Sequence, residues 1–361
     1  MPDNLKQPIA NAAVRAVFTG GGTLGSVTPL LAVYQELRRQ RPDAECLWLS
    51  TLSGPEHGLI ERYGIRRVGI PSGKLRRYWS WSNVTDGWNV VRGFFAARKI
   101  LREFRPTVVL TAGGYVGVPV VRAAVRLHCP VLLHQPDVEL GLANRLSIKS
   151  ASIITVSFAE SLRSVPKQKT VLTGNPIRAD LLGGLREAGL VKLKLNPDLP
   201  TLLVMGGSTG AAWINELLAE TLERLLEFCQ VIHITGGRAE LNISNPRYKP
   251  FAFVDQELRD YYAAADLVIS RAGASALAEL TALRKPAILI PMPNSPQEQN
   301  AAVYFKANAA LVVQQDQLDA ASFVQAVEEL LKDPSQLQSL GRTIAKMMPL
   351  DAAQRIVRMM L

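Results

Sequence analysis

One local pattern occurs twice in this chain of 361 residues: an apolar strand, then a glycine-rich turn, then a helical pattern. In the first copy RAVFT (15–19) is followed by GGGTLG (20–25), and in the second TLLVM (201–205) is followed by GGSTG (206–210). A turn of this kind points backbone N–H groups and the positive end of a helix dipole at one place, which suits a phosphate group. The repetition therefore predicts two domains, each with a site for an anion.

The rest of the chain also alternates short apolar segments with helical patterns, and 361 residues are enough for two domains. This alternation is typical of parallel sheets that are covered by helices on both faces. We therefore predict an α/β fold in which two Rossmann-like, doubly wound domains face each other across a cleft. The first domain is expected at residues 1–175 and the second at 176–350, with a final helix at 351–361 that packs back onto the first domain.

The net charge of the chain indicates which kinds of partner the protein binds. The formal net charge is +10 and the pI is near 9.6, which favours nucleic acid, anionic lipid or a phosphorylated substrate. No familiar nucleic-acid-binding motif accompanies the charge, so nucleic acid is not expected. No apolar run reaches the roughly 18 to 20 residues of a membrane span, and the polar start lacks the apolar segment of a secretory signal. We therefore expect a cytoplasmic protein.

Nothing in the sequence indicates a metal site or a redox cofactor. The three cysteines are scattered in or beside apolar runs, which is typical of reduced core residues. No Asp-x-Asp pair is present that would chelate a metal together with a diphosphate. Gly20, Gly22 and Gly25 have the spacing of a dinucleotide fingerprint, but the second strand ends in LST (49–51) without the acid that binds a ribose. An oxidoreductase is therefore disfavoured.

A basic and aromatic segment lies between the two copies of the glycine turn. Its residues include Lys74, Arg76, Arg77, Tyr78, Trp79, Trp81 and Trp88. Aromatic rings beside lysine and arginine suit an anionic membrane surface, where rings lie at the headgroup level and cations meet phosphates. The alternative is a solvated basic loop followed by a helix whose aromatic side chains are buried. Composition alone leaves both interpretations open.

The second half contains a more specific constellation. The run SRAGAS (270–275) leads from a strand into a helix, and Glu279 follows Ser275 by one helical turn on the same face. The helix N-terminus and the Ser275 hydroxyl would bind a diphosphate, while the carboxylate would accept both hydroxyls of a ribose. Taken alone, Glu279 fits an ordinary exposed helix glutamate, and Gly273 a turn residue, slightly better.

Seven motifs occur in a fixed order along the chain: GGTLG (21–25), GGYV (113–116), GLANR (141–145), TGNPIR (173–178), GGS (206–208), SRAGAS (270–275) and QEQNA (297–301). In this order they resemble the MurG family of glycosyltransferases over nearly the whole chain. The resemblance implies a GT-B fold, no cofactor, and inverting transfer of N-acetylglucosamine from UDP-GlcNAc. The implied acceptor is lipid I, undecaprenyl-pyrophosphoryl-MurNAc-pentapeptide, and the implied product is lipid II of peptidoglycan synthesis.

The resemblance also implies roles for individual residues. The donor contacts fall on Thr23, Arg178, Ser208, Val254, Ser275, Glu279 and Gln297. The contacts to the polyprenyl-pyrophosphate-linked acceptor fall on Gly22, Gly25, Gly113, Gly114 and Tyr115. The basic and aromatic segment would then rest on the anionic inner leaflet that holds the polyprenyl chain, and no metal is needed if helix dipoles, hydroxyls and arginine stabilise the departing UDP.

The chain departs from the family at the general base. Where the family has a histidine in the first loop, this chain has Ser26, and a serine hydroxyl needs a neighbouring base before it accepts a proton. Asp137 stands where the family has asparagine and is a candidate substitute base, the alternative being a capping residue ahead of the next helix. His134 is a third candidate, although its apolar neighbours favour an orienting role.

Three functions follow from these patterns. The first is lipid II synthesis by a peripheral enzyme at the cytoplasmic face of the cell membrane. The second is transfer from a UDP-sugar to another lipid-linked or diglyceride acceptor. The third is a non-catalytic homologue that binds UDP-sugar or polyprenyl pyrophosphate and scaffolds other cell-wall synthesis proteins. Ser26 favours the third function, whereas the retained donor residues favour the first two.

Overall fold

The structure, a computed structural model, describes residues 13–73, 82–207, 211–237 and 243–361. The described chain divides into two compact units. Unit 1 extends to Arg178 and also includes the C-terminal residues Pro349–Leu361, whereas unit 2 consists of Ala179–Met348.

Unit 1 contains a seven-stranded sheet in which every neighbouring pair of strands is parallel. In chain order the strands are β1 (Arg15–Thr19), β2 (Glu45–Ser50), β3 (Arg66–Gly69), β4 (Val108–Thr111), β5 (Val131–Gln135), β6 (Ile153–Val156) and β7 (Thr170–Leu172). The helices between them are α1 (Thr28–Gln40), α2 (Glu56–Arg62), α3 (Ser82–Phe104), α4 (Gly117–Arg126) and α5 (Leu142–Ser147).

Unit 2 contains a second parallel sheet, of six strands. Its strands are β8 (Thr201–Met205), β9 (Gln230–Ile234), β10 (Tyr248–Phe251), β11 (Leu267–Ser270), β12 (Ala287–Leu289) and β13 (Leu311–Val312). Its helices are α6 (Arg186–Leu193), α7 (Ala212–Phe228), α8 (Leu258–Ala264), α9 (Ala274–Leu283), α10 (Pro296–Lys306), α11 (Ala320–Lys332) and α12 (Pro334–Ile344). The last helix, α13 (Ala352–Met360), belongs to unit 1.

Both faces of the unit 1 sheet are buried. Phe18 and Trp48 belong to one apolar cluster, while their strand neighbours Val17 and Leu47 belong to another, as expected for side chains that alternate across a sheet. Helix α13 adds apolar side chains to the first cluster, in which α1 also takes part. The α/β fold predicted from alternating apolar segments is therefore confirmed.

The strand order places a switch point in each sheet. In unit 1 the order is β3-β2-β1-β4-β5-β6-β7, so the chain reverses direction of winding between β1 and β4. In unit 2 the order is β10-β9-β8-β11-β12-β13, with the reversal between β8 and β11. Ligands of open α/β sheets bind beyond the carboxyl ends of the strands at such a point. Three glycine loops follow these strands in the sequence. The first glycine loop (residues 20–25) follows β1, the second glycine loop (residues 113–115) follows β4, and the third glycine loop (residues 206–210) follows β8.

Two histidines are buried inside the sheets. His134 in β5 is hydrogen-bonded through Nδ1 to the Thr155 hydroxyl and through Nε2 to Asn175 Oδ1, each at 2.9 Å. His233 in β9 is bonded through Nε2 to Asn215 Oδ1 at 3.0 Å. Burial lowers the pKa of both imidazoles from the ordinary 6.5 to about 4. Both rings are therefore neutral at pH 7 and fix the side chains to which they are hydrogen-bonded.

The free energy of unfolding is expected to fall by about 2 kcal/mol for each of these histidines between pH 7.5 and pH 5. Below its ordinary pKa the unfolded imidazole takes up a proton that the buried imidazole excludes, so stability is lost as the pH falls towards 4. Denaturant titrations at several pH values measure this slope. In the His134→Gln variant the part of this pH dependence that His134 contributes is expected to disappear, whatever the stability of the variant at pH 7.5. An unchanged slope in that variant would contradict the assignment.

Candidate active site

The first and second glycine loops pack against each other in unit 1. A Cβ atom on Gly114 would lie 2.9 Å from the Gly21 carbonyl oxygen and 3.2 Å from the Ser26 hydroxyl. A Cβ atom on Gly22 would lie 3.1 Å from the Tyr115 hydroxyl oxygen. Gly22 and Gly114 also have φ angles of +83° and +81°, a region that favours glycine. The structure therefore brings together the glycine and tyrosine residues that were assigned to the acceptor.

The sequence reasoning missed one acid at this place. Glu56, at the start of α2, is fully buried, and its Oε2 accepts a hydrogen bond from the Gly22 N–H at 3.2 Å. Its Oε1 accepts from the Thr51 N–H at 3.3 Å and from the Thr51 hydroxyl. The Gly22 N–H is therefore committed to Glu56 and is not offered to a phosphate. The only signal in the sequence was an acid six residues beyond the end of β2.

Ser26 is buried within the first glycine loop. Its hydroxyl donates to the Thr23 carbonyl oxygen at 3.3 Å, so the proton of Ser26 points into the loop and not towards a general base. Thr23 and Gly25 are exposed on the same loop. Ser26 therefore occupies the family's histidine position as a structural residue of the loop.

Hydrogen bonds of the Gln135 and Asn144 side chains fix the segment that follows β5. Gln135 Nε2 donates to the Asp137 carbonyl at 2.7 Å and to the Glu139 carbonyl at 2.8 Å. Gln135 Oε1 accepts from Asn144 Nδ2 at 2.7 Å, and Asn144 Oδ1 lies 3.1 Å from the position that a Cβ atom on Gly113 would occupy. Asn144 thus links this segment to the second glycine loop. Asp137 is half-buried on a fixed backbone beside the acceptor loops.

His134 and Arg178 are placed less favourably for direct contact with a ligand. Both ring nitrogens of His134 are bonded inside unit 1, which fits the orienting role and not proton abstraction. Arg178 is buried, and its Nη1 donates to the Tyr63 hydroxyl at 3.1 Å. The role of Arg178 towards the donor remains a prediction.

In unit 2 the residue that is predicted to bind the ribose, Glu279, is held by a buried tyrosine. Glu279 is half-buried in α9, and its Oε2 accepts a hydrogen bond from the Tyr262 hydroxyl at 2.8 Å. Tyr262 is fully buried and also reaches the Met205 sulfur at 3.1 Å. Because Met205 is the last residue of β8, this contact ties Glu279 to the strand that carries the third glycine loop. Glu279 is therefore a fixed carboxylate rather than a mobile surface residue.

The N-terminus of α9 is arranged for an anion. Its N-cap is Gly273, which has no side chain to accept from the first N–H groups of the helix. Gln297 Oε1 accepts from the Met292 N–H at 3.0 Å, and Gln297 Nε2 lies 4.0 Å from the position of a Cβ atom on Gly273. Asn300 Nδ2 donates to the carbonyl of Ala272 at 3.1 Å and fixes the turn. The structure thus brings Gln297 to the turn that precedes Ser275.

The remaining residues of the predicted sites are Val254, Ser208 and those of the basic and aromatic segment. Val254 is buried beyond the end of β10. Ser208, of the third glycine loop, lies outside the described residues, as do Lys74, Arg76, Arg77, Tyr78, Trp79 and Trp81 of the basic and aromatic segment. Trp88 is described and is 66% exposed on α3. For Trp88 the alternative of a buried aromatic helix is therefore wrong.

The α3 surface combines apolar and basic side chains on one helical face. Trp88, Val91 and Phe95 are exposed at intervals of three and four residues, and Phe95 is 60% exposed. Exposed Arg92, Lys99 and Arg102 fall on the same face. Within the part of the chain that the structure describes, no helix is both long enough and apolar enough to cross a bilayer.

The chain matches the two domains of one sequence family along most of its length. Residues 16–156 match the N-terminal domain of glycosyltransferase family 28, and residues 201–356 match the C-terminal domain of the same family. These matches cover the glycine loops of unit 1 and the α9 site of unit 2. The predicted acceptor site of unit 1 and the predicted donor site of unit 2 therefore each lie within a domain of the same transferase family.

Individual relatives agree with the family match. The chain is 42% identical over 322 residues to the UDP-N-acetylglucosamine--N-acetylmuramyl-(pentapeptide) pyrophosphoryl-undecaprenol N-acetylglucosamine transferase of Shouchella clausii, covering 88% of this chain and 90% of the relative. It is 39% identical over 328 residues to the protein of the same name from Lachnospira eligens, covering 89% and 92%.

Solved structures share the fold. Acinetobacter baumannii MurG aligns with a TM-score of 0.73 at 23% identity, over 96% of this chain and 99% of that one. A putative UDP-N-acetylglucosamine 2-epimerase from Listeria monocytogenes aligns with a TM-score of 0.72 at 11% identity, over 96% and 95%. These likenesses establish the two-domain GT-B architecture, and the sequence relatives establish the family. The chain belongs to the MurG family of transferases within glycosyltransferase family 28.

Proposed function

We propose that this protein transfers N-acetylglucosamine from UDP-GlcNAc to lipid I, with inversion, and so forms lipid II for peptidoglycan synthesis. The observation that carries the proposal is the site at the N-terminus of α9, where a helix terminus capped by glycine, Gln297 and the oriented Glu279 carboxylate occur together. This combination matches three of the four chemical parts of a UDP-sugar: the diphosphate, the sugar and the ribose. The names of the relatives supply the identity of the sugar and of the acceptor.

The donor is assigned to unit 2. Glu279 accepts hydrogen bonds from the ribose hydroxyls, and the α9 N-terminus with Ser275 binds the diphosphate. Ser208 binds the same diphosphate, the Val254 backbone meets the uracil edge, and Gln297 bonds the sugar hydroxyls. The positive end of the α9 dipole faces the diphosphate, which stabilises the charge that develops on UDP as its bond to the sugar breaks.

The acceptor is assigned to unit 1. The packed first and second glycine loops and Tyr115 contact the pyrophosphate and the sugar of lipid I. Asp137 takes the proton of the attacking acceptor hydroxyl as the new bond to the sugar C1 forms and UDP departs with the bonding electrons. Arg178 and Thr23 are assigned to the departing diphosphate.

The α3 surface is assigned to the membrane. Exposed tryptophan and phenylalanine beside arginine and lysine favour peripheral binding to an anionic leaflet, and the acceptor's polyprenyl chain places that leaflet at the cytoplasmic face of the cell membrane. The residues of the basic and aromatic segment that lie outside the described structure precede α3 in sequence and are assigned to the same surface. Contacts with other cell-wall synthesis proteins are a further part of this proposal.

Changing Trp88 and Phe95 together to serine is expected to weaken binding to anionic vesicles by roughly tenfold or more, because two large apolar side chains no longer enter the interface. Flotation with phosphatidylglycerol vesicles measures this loss. Leu185→Ser with Val191→Ser is the matched control, since these side chains are 66% and 77% exposed on unit 2. Equal losses in both double variants would refute the assignment of the membrane surface to α3.

A panel of acceptors tests the proposed substrate. Purified protein with radiolabelled UDP-GlcNAc is offered lipid I, undecaprenyl phosphate and diacylglycerol in separate reactions. We expect label to enter only the lipid I reaction. Label in diacylglycerol or undecaprenyl phosphate, without label in lipid I, would replace the proposal by transfer to another lipid.

A further inference from the structure

Glu56 is the one fully buried acid at the acceptor loops, among the residues that the structure describes, and nothing in the proposed reaction uses it. It lies at the first residue of α2, and all of its recorded hydrogen bonds are received from donors: the Gly22 N–H, the Thr51 N–H and the Thr51 hydroxyl. Two of these donors belong to the backbone. The carboxyl group therefore joins the first glycine loop to the end of β2.

The surrounding backbone is shaped around this carboxyl group. A Cβ atom on Gly21 or on Gly54 would overlap the oxygens of Glu56, so each glycine leaves the room that the carboxyl group fills. The first glycine loop is held from its other side by Trp48, whose Nε1 donates to the Gly20 carbonyl at 3.0 Å. The loop is thus fixed at Gly20 and at Gly22 by two buried side chains.

The shape of this loop decides the position of the acceptor residues. Gly22, which Glu56 holds, lies against the Tyr115 ring, and Gly21 lies against Gly114. If the first glycine loop were released from Glu56, the surface that it forms together with the second glycine loop would shift. Because Glu56 is fully buried, any effect on lipid I must pass through the loop rather than through direct contact.

We propose that Glu56 is a positioning residue that holds the first glycine loop in the form that binds the lipid-linked acceptor. This inference rests on the proposed function of the same site. It assigns the Gly22 N–H to the scaffold and leaves the exposed end of the loop, with Gly25, to meet the acceptor.

Four variants test the inference. Glu56→Gln keeps the shape but turns an NH2 group towards a donor, and Gly54→Ala pushes a methyl group into the carboxyl group from the opposite side. Their matched controls are Glu61→Gln and Gly58→Ala on the same helix: Glu61 is an exposed acid and a Cβ atom on Gly58 would meet nothing within 4 Å. The readouts are the affinity for a short-chain lipid I analogue and the affinity for UDP, both by calorimetry, with the KM for each substrate.

We expect Glu56→Gln and Gly54→Ala to weaken binding of the lipid I analogue by about tenfold, since a buried donor loses its acceptor, with UDP affinity changed by less than about twofold. The two controls are expected to match the parent. Unchanged analogue affinity in both variants, or an equal loss of UDP affinity, would overturn the inference. A parent that binds the analogue without transferring sugar would refute the proposed function alone, because the affinity comparison still decides on Glu56. A parent that binds no analogue would overturn both.

Discussion

Asp137→Asn is expected to lower kcat for sugar transfer by about 100-fold or more, because the acceptor hydroxyl then lacks a general base. Affinity for UDP-GlcNAc is expected to remain within about twofold of the parent, since the donor is assigned to unit 2. The segment that carries Asp137 is fixed through its carbonyl by Gln135, so removal of the charge leaves the backbone contacts in place. Initial rates with saturating donor and lipid I measure the loss.

Two controls separate the base from its surroundings. Ser26→Ala is expected to change kcat by less than about threefold, because the Ser26 proton is donated within the loop and takes no part in proton transfer. Glu139→Gln removes an exposed acid from the same segment and is expected to resemble the parent. Full activity of Asp137→Asn, or a large loss in Ser26→Ala, would reject Asp137 as the substitute base.

Glu279→Ala is expected to lower kcat/KM for UDP-GlcNAc by about 100-fold, because two ribose hydroxyls lose a charged acceptor. The affinity for UDP alone is expected to fall by a similar factor, since the ribose belongs to both molecules. Tyr262→Phe keeps the carboxylate and removes the hydroxyl that orients it, so we expect a smaller loss of about threefold to tenfold. Calorimetry with UDP and steady-state kinetics measure both variants.

The control for this experiment is Glu223→Ala, which removes an exposed acid from α7 of the same unit. It is expected to bind UDP as the parent does. If Glu279→Ala bound UDP with parental affinity, the ribose would have to be held elsewhere and the donor assignment would fail. A parallel loss of affinity for lipid I would indicate damage beyond the donor site.

The fold was predictable because its signals are local. Buried parallel strands are short apolar runs, and the glycine turns at their ends mark where each winding direction changes. The strand–turn–helix signal also placed Ser275 and Glu279 on α9 before any tertiary contact was known. Strand β13 carries no such signal, because Leu311–Val312 is only two residues long.

The supporting contacts of the site were not predictable, because they join residues far apart in sequence. Glu56 reaches a loop 34 residues earlier, and only the parallel pairing of β1 with β2 brings them together. Tyr262 orients Glu279 from α8, although the Tyr262 position carries no local signal. The exposure of Trp88 is likewise a tertiary property, since the same helical pattern fits a buried face or a membrane-facing one.

The glycine loops now have different physical roles. In unit 2 the α9 N-terminus is capped by Gly273, which has no side chain to compete with an anion. In unit 1 the first glycine loop uses its Gly22 N–H internally, so its glycines serve close packing against the second glycine loop more than phosphate binding. The two copies of one sequence pattern thus support different tasks.

The most direct test of the account is the mass of the lipid produced when purified protein is incubated with UDP-GlcNAc and lipid I. The account predicts that lipid I gains one N-acetylhexosamine residue over many turnovers, although the first glycine loop carries Ser26 in place of the family's histidine. Binding of UDP-GlcNAc without any such gain in mass would contradict it and leave a non-catalytic homologue.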